Sequence, residues 1–269
     1  MNISESFLTA LDSILANKMR SVLTMLGVII GVASVIALLA LGNGFTQNIT
    51  SEITSIGTNL LYVSTDFDNS NGYATLTLED VEALANPFNT PDLSEVSAEV
   101  QGQQTVVYAG ESKNTAVSGV TSNYLAMNGL DEFQLGDGLT QNDLDAKARV
   151  VVLGSGIASD LFDEAFPIGE EIKVNGVSYE VVGVLGDSGG GIGGNTDNSI
   201  FMPITTAQSR LYTDRTRDGQ KIVSVITAQA AGTEQVDAAI EQVTITLRNT
   251  HDIAYGGEDD FTIFDQSSL

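Results

Sequence analysis

Few residues in this chain have the chemistry of a reactive site. His251 is the single histidine, and there is no cysteine among the 269 residues. A Ser-His-Asp hydrolase would have to be built on that one imidazole. It stands in RNTHDIAYGG, at the end of a helical pattern, where an imidazole is favoured by the helix dipole without any catalytic task. A structural role is the expectation for His251. Gly189, Gly191 and Gly194 match G-x-G-x-x-G, but a dinucleotide site needs that pattern to open a helix whose amides meet phosphate. Here Asn195-Thr196-Asp197-Asn198 and a strand pattern follow, which reads as a loop. Asp66-Phe67-Asp68-Asn69-Ser70 begins like a calcium loop, yet the required glycine is Asn71 and the closing glutamate is Thr77, so an EF-hand is rejected. Asn48-Ile49-Thr50 is a glycosylation sequon, meaningful only in a eukaryotic secretory pathway. No catalytic, cofactor-binding or metal-binding residue is expected.

Composition narrows the classes further. The absence of cysteine removes disulfides, thiolate metal sites and thiol catalysis. Residues 1–42 hold Glu5, Asp12, Lys18 and Arg20, which cancel, so the remaining 227 residues carry the whole net charge of −24. Such a surface repels nucleic acid and anionic lipid. It reads as a solvated, soluble face; attraction of a cationic partner is the sharper alternative.

The element that positions everything else is Ser21–Gly42, SVLTMLGVIIGVASVIALLALG, inside a charge-free gap from Arg20 to Glu52. At 1.5 Å per residue it reaches roughly 33 Å as a helix, enough for a bilayer core about 30 Å thick. Lys18 and Arg20 stand at its start, which by the positive-inside rule puts the N-terminus in the cytoplasm and residue 43 onward outside. Residues 1–20 read as an amphipathic cytoplasmic segment with Phe7, Leu8, Leu11, Ile14 and Leu15 at helical spacing. A cleaved signal peptide competes, because Ala40-Leu41-Gly42 offers a small-x-small site. Its leader would be unusually long and its apolar run exceeds the usual h-region, so a membrane helix is favoured. Gly27 and Gly31 form G-x-x-x-G, which lets membrane helices approach closely and also arises by chance in a glycine-rich span. Phe45, Ile49, Ile53 and Ile56 continue the helical spacing as a stalk over 43–57, ended by Gly57.

Beyond the stalk, Asn59–Thr65 reads as a strand and Thr77 as the N-cap of a helix over Leu78–Asn86. Strands follow at 93–109 and 113–120. VVVLG at 150–154 is a buried strand, Ile157–Phe162 a helical turn, and Asn175-Gly176 the turn of a hairpin. Ser199–Met202 is a strand, Pro203 starts a helix to about Leu211, and TDRTRDGQK at 213–221 is a surface loop. Ile222–Ala228 is a strand, Thr233 caps a helix with Val236, Ile240, Val243 and Leu247 on one face, and Phe261–Phe264 closes the chain. The last segment repeats the strand–helix–strand order of residues 59–107. The pattern predicts an α+β chain: a membrane helix, a stalk and a split α/β domain with residues 121–222 inserted.

The block ALDSILANKMRSVLTMLGVIIGVASVIALLALGNG at 10–44, with IGTNLLYV at 56–63, closely resembles the N-terminus of MacB-type permeases. Arg20-Ser21-x-Leu23-Thr24-x-Leu26-Gly27 and Ile30-Gly31-Val32 carry the likeness. VVVLGSGIASDLFDEAFPIGEEIKVNGVSYEVVGVL at 150–185 is similar to the extracytoplasmic sabre module of that family. The resemblance implies an ABC transporter permease of the cell membrane, related to FtsX-like permeases, that transmits ATP-driven motion to an external domain. It implies a porter-like subdomain from 43–120 and 223–269, a sabre-like subdomain at 121–222, and no catalysis in the permease itself. Implied partners are an ABC ATPase, a second permease copy, further permease helices and an adaptor outside the membrane. There is no Walker A motif, and the chain stops where the family's second stalk and membrane helix would begin. A fragment of a longer permease is therefore expected. The alternatives are a single-pass anchored adaptor without an ATPase, or an enzyme released after Gly42.

Overall fold

The structure is a computed structural model that describes residues 18–19, 22–23, 25–36, 59–70, 73, 75–163, 165–187 and 196–265. Two units are distinguished, Met1–Glu52 and Ile53–Leu269. In the first unit all the described residues are helical. Val22, Leu26, Ile30 and Ile36 are each more than half exposed, so the helix carries its apolar side chains outward. Ser34 Oγ donates to the Ile30 carbonyl at 2.7 Å, which satisfies the hydroxyl within its own helix. A Cβ added at Gly27 or Gly31 would meet nothing within 4 Å. Among the described residues no helix is long and apolar enough to cross a membrane. Arg20 and Ser21, residues 37–42 of the expected span, the expected stalk at 43–57 and the sequon at Asn48 all lie outside the described residues.

Among the described residues the second unit is built on one ten-stranded sheet. LLYVST forms β1 (Leu60–Thr65), whose neighbours are β9 (Val225–Ala230) and β10 (Phe261–Asp265), both antiparallel. β9 pairs antiparallel with β2 (Leu93–Tyr108) on its other side. The helices are α1 (Leu78–Leu84), α2 (Tyr124–Met127), α3 (Gln141–Asp145), α4 (Ser155–Phe162), α5 (Ile204–Arg210) and α6 (Val236–Thr250). With α1 after β1 and α6 after β9, the spatial order β10-β1-β9-β2 is a split β-α-β arrangement.

Register explains its core. Val63 stands opposite Ile226 and Ile263, and Leu61 opposite Ala228, so these side chains share one face. α1 and α6 pack together over that face with Leu84, Ala239, Val243 and Leu247. The alternate residues Tyr62, Ser64, Thr227 and Thr262 take the other face, where Ser64 and Thr262 hydroxyls meet at 3.0 Å.

Beyond β2 the sheet continues without a break. β3 (Glu111–Val120) pairs antiparallel with β2, and β8 (Ser199–Pro203) lies parallel beside β3. β5 (Val150–Leu153), β7 (Val177–Leu185) and β4 (Phe133–Gly136) extend it, while β6 (Glu171–Val174) pairs with β7 and with the far end of β2. Asn175 and Gly176 adopt φ of 48° and 82°, and Val174 faces Val177, as a two-residue type I′ hairpin requires. Gly119 lets α5 close on β3: a Cβ there would overlap that of Ala207 and stand 3.0 Å from Val100 Cγ1.

Two sequence expectations are corrected, and the surface loop at 213–221 gains detail. β9 begins at Val225 rather than Ile222, because Ile222 bridges Thr77 and the Val223 N–H donates to the Leu76 carbonyl at 3.0 Å. Thr233 opens a 3₁₀ turn, Thr233–Gln235, and makes no capping bond, so α6 starts only at Val236. The run 213–221 closes into a small hairpin, with Arg215 paired to Lys221 and the Thr216 N–H donating to the Gln220 carbonyl at 3.1 Å.

Candidate functional site

His251 caps the C-terminal end of α6 and is drawn into the fold by two carboxylates from distant parts of the chain. The first is Asp80, third residue of α1. Thr77 caps that helix by accepting from the Asp80 N–H at 3.4 Å, and Asp80 Oδ2 accepts in return from the Thr77 N–H and hydroxyl, each at 2.8 Å. Asp80 Oδ1 accepts from the Thr250 hydroxyl at 2.6 Å. The second is Asp260, just before β10, whose Oδ1 lies 2.6 Å from His251 Nδ1. Nε2 stands 3.3 Å from Asp80 Oδ2, within reach of charge attraction but not aligned for a hydrogen bond. The ring packs edge-on against Phe261 with centroids 5.9 Å apart.

Electrostatics follow from this geometry. Side-chain exposure is 8% for His251 and 3% for Asp80. Burial works against the imidazolium, but the two carboxylates outweigh it and raise His251 to about 8. Burial also works against the Asp80 anion, and His251, Thr250 and Thr77 together hold it below the ordinary carboxylate range. A hydrolytic triad needs one imidazole nitrogen on a nucleophile and the other on an acid. Here both nitrogens face carboxylates, and the Thr77 and Thr250 hydroxyls donate to Asp80 instead. The arrangement is an ionic clamp joining α1, α6 and β10. Arg248 extends it one turn earlier: its guanidinium pairs with Asp259 and donates to the carbonyls of Ala254 and Gly257.

The other sequence candidates are not brought to this clamp. Asp66 Oδ1 accepts from the N–H groups of Asp68 and Asn69, and Oδ2 from the Asn69 side chain, so its carboxylate closes a turn. Gly189, Gly191 and Gly194 lie outside the described residues; the chain after them forms a 3₁₀ turn, Thr196–Asn198, and then β8. Lys18 is an exposed helical residue of the first unit. Among the described residues no group of three His, Asp or Glu side chains has a metal-holding arrangement. Asp260 and Thr250 carried no signal in the sequence. Asp80 did, through the Thr77-x-x-Asp80 capping spacing, but its pairing with His251 is a product of topology.

A fold of this kind, with its two helices on one face of a split β-α-β sheet and the sheet extended through β3 and β8, is that of known proteins. The model of the MacB-like periplasmic core domain matches residues 21–245. The chain belongs to this family. The macrolide export ATP-binding/permease protein MacB of Chlorobaculum tepidum is 30% identical over 265 residues, covering 97% of this chain and 40% of that protein. Its namesake from Azoarcus sp. is 33% identical over 274 residues, covering 100% and 39%. This member of the family thus spans about two fifths of the relatives it matches. The crystal structure of the periplasmic region of MacB from Actinobacillus actinomycetemcomitans superposes with a TM-score of 0.66 at 20% identity, over 82% of this chain and 95% of that one. The extracellular domain of the ABC-type transporter YknZ from Gram-positive bacteria gives 0.62 at 19%, over 77% and 100%. The mixed α/β fold of the second unit is that of MacB periplasmic domains.

Proposed function

We propose that this chain is the N-terminal part of an ABC transporter permease of the MacB type, coupling ATP-driven motion in the cell to an extracytoplasmic domain. Residues 21–42 are its first membrane helix, with the N-terminus cytoplasmic, and residues 43–57 its stalk. Residues 43–120 and 223–269 form the porter-like subdomain, and 121–222 the sabre-like one. The observation that carries the reading is the family match over residues 21–245 together with relatives named as ATP-binding/permease proteins. Further support comes from the outward-facing apolar side chains of the N-terminal helix, which suit lipid better than water. Gly27 and Gly31, open on that helix, leave room for close packing by a second permease copy or by further membrane helices.

The external unit suits such a role because it is fastened rather than hinged. The clamp ties the helix after β1 to the helix after β9 and to β10, so a push delivered at β1 moves the split β-α-β arrangement as one body. ATP hydrolysis falls to a nucleotide-binding partner or domain, and an adaptor outside the membrane is a further partner. Ile49→Pro in the stalk, placed in a full-length permease, tests the reading. The expected result is ATPase activity that persists while export falls, since proline breaks the helix that carries the movement. Export and ATPase still coupled in that variant would remove the lever; a chain that works without any ATPase would make it an anchored adaptor.

A further inference from the structure

Net charge directs attention to cationic partners, but the distribution of the few cations tells a different story. Nine Lys and Arg residues follow residue 42, and five of them gather in one region of the second unit: Lys147, Arg149, Arg210, Arg215 and Lys221. The fold brings them together from three segments. Lys147 and Arg149 flank the turn after α3, and the Thr206 hydroxyl of α5 donates to the Ala148 carbonyl at 2.8 Å, locking that turn against α5. Arg210 ends α5. Arg215 and Lys221 are paired residues of the small hairpin that follows.

This grouping opposes the local energetics. Like charges directly opposite in a β-pair repel, which is the relation between Arg215 and Lys221. Lys221 is pushed below the usual lysine range, first by burial and then by Lys147 and Arg215. Arg149 and Arg210 both act on the phenol of Tyr179, which is buried without a hydrogen-bond partner. Two have a local reason to be there: Arg210 stands in the last turn of a helix, which favours a cation, and Arg215 donates to the Gly219 carbonyl at 2.9 Å across its hairpin. In a chain with 35 acids, ion pairs were easy to supply, yet among the described residues none of the five forms one. The paired cations, Lys113 and Arg248, lie elsewhere.

We propose that Lys147, Arg149, Arg210, Arg215 and Lys221 form a docking surface for an acidic segment of another polypeptide. A polypeptide is favoured over a single phosphate because the charges stand on a turn, a helix end and a hairpin, and so present a surface for several carboxylates. Three of the five are arginines, whose planar forks bind carboxylates bidentately. The surrounding acidic surface supplies selectivity, since it repels any polyanion that does not seat on the patch. This inference does not depend on the transport reading.

The test uses the full chain in detergent and fluorescein-labelled poly-L-glutamate. A protein of net charge −24 should repel this probe; the docking surface predicts saturable binding that weakens with added salt. The triple variant Arg149→Glu, Arg215→Glu and Lys221→Glu should weaken it by about tenfold or more, with the urea midpoint recorded to show that the fold persists. Should the triple variant not fold, arginine side-chain NMR of the unaltered protein reads the same question. Shifts at Arg149, Arg210 and Arg215 on adding poly-L-glutamate support the surface, and shifts confined to Arg217 and Arg248 overturn it. No saturable binding, or equal binding by the folded triple variant, also overturns it. Binding to phosphatidylglycerol vesicles with none to poly-L-glutamate overturns the polypeptide partner and makes the patch a lipid headgroup site.

Discussion

Two regions of the extended sheet, its β10 end and its middle, are held by different physics. Around β1, β9 and β10 the helices are tied by buried charge, through His251, Asp80 and Asp260. Around β3, β8 and α5 the joint is one of shape, with Gly119 removed to a bare backbone so that Ala207 and Ile204 can close on the sheet. Charge holds only while both partners are ionised; shape holds at any pH but tolerates no added volume. The first region is therefore sensitive to protons and the second to side-chain size.

The largest blow to this contrast is Asp80→Ala. It leaves a buried imidazole facing one carboxylate instead of two, strips the Thr77 hydroxyl of its acceptor and leaves Thr250 only the Leu247 carbonyl. Breaking such a buried set costs about 3–5 kcal/mol, read from urea unfolding of the unit 53–269 within the full chain. A loss under about 1 kcal/mol, the worth of an exposed pair, would reduce the clamp to a surface contact. Gly119→Val comes next and probes the other region. Its side chain must displace α5 or bend β3, a penalty of about 3 kcal/mol at the upper end of overpacking. Unlike the first loss, it should be the same near neutrality and in alkali.

The smallest effect sharpens the comparison most, because it separates the regions by pH. His251 is raised from 6.5 to about 8 on folding. Its contribution is thus fully present below about pH 6.5, is lost as pH rises through about 8, and amounts to about 2 kcal/mol. Asp80 works at the opposite limit: its depressed folded value makes its contribution present above the ordinary 3.8 and lost as pH falls through that lowered value. Urea midpoints at about pH 6 and about pH 9 should differ in the native chain and converge in His251→Gln. As the single histidine, its ring signal in NMR needs no assignment, so the titration itself can be followed directly.

Much of the fold was legible where local chemistry is decisive. The alternation in LLYVST made β1 plain, Thr77 announced α1, and Asn175-Gly176 could only be a tight hairpin. Val236, Val243 and Leu247 named the buried face of α6. Where tertiary contacts compete, the pattern misled. Ile222 and Val223 look like the start of β9, yet they are claimed by Leu76 and Thr77 next to α1. Thr233 has the right residue type for a cap, but Gly232 before it begins a 3₁₀ turn instead. The short elements α2, α3 and β4 have too few residues for any period to emerge. The clamp was the least legible feature, since 171 residues separate Asp80 from His251 and only the meeting of α1 with α6 joins them. The surroundings of His251 were equally hidden: Asp260 meets Nδ1 and Asp80 stands 3.3 Å from Nε2.

One strand has a mechanical meaning beyond its place in the sheet. β2 runs sixteen residues, a span of about 50 Å. It starts beside β9, runs the length of β3 and ends against β6. A pull along its axis loads those ladder bonds side by side rather than one after another. Such a strand yields to tension as a seam in shear, where all stitches must give at once, and not as a zip. The two regions, one held by charge and one by shape, are in this sense strung on one inextensible cord.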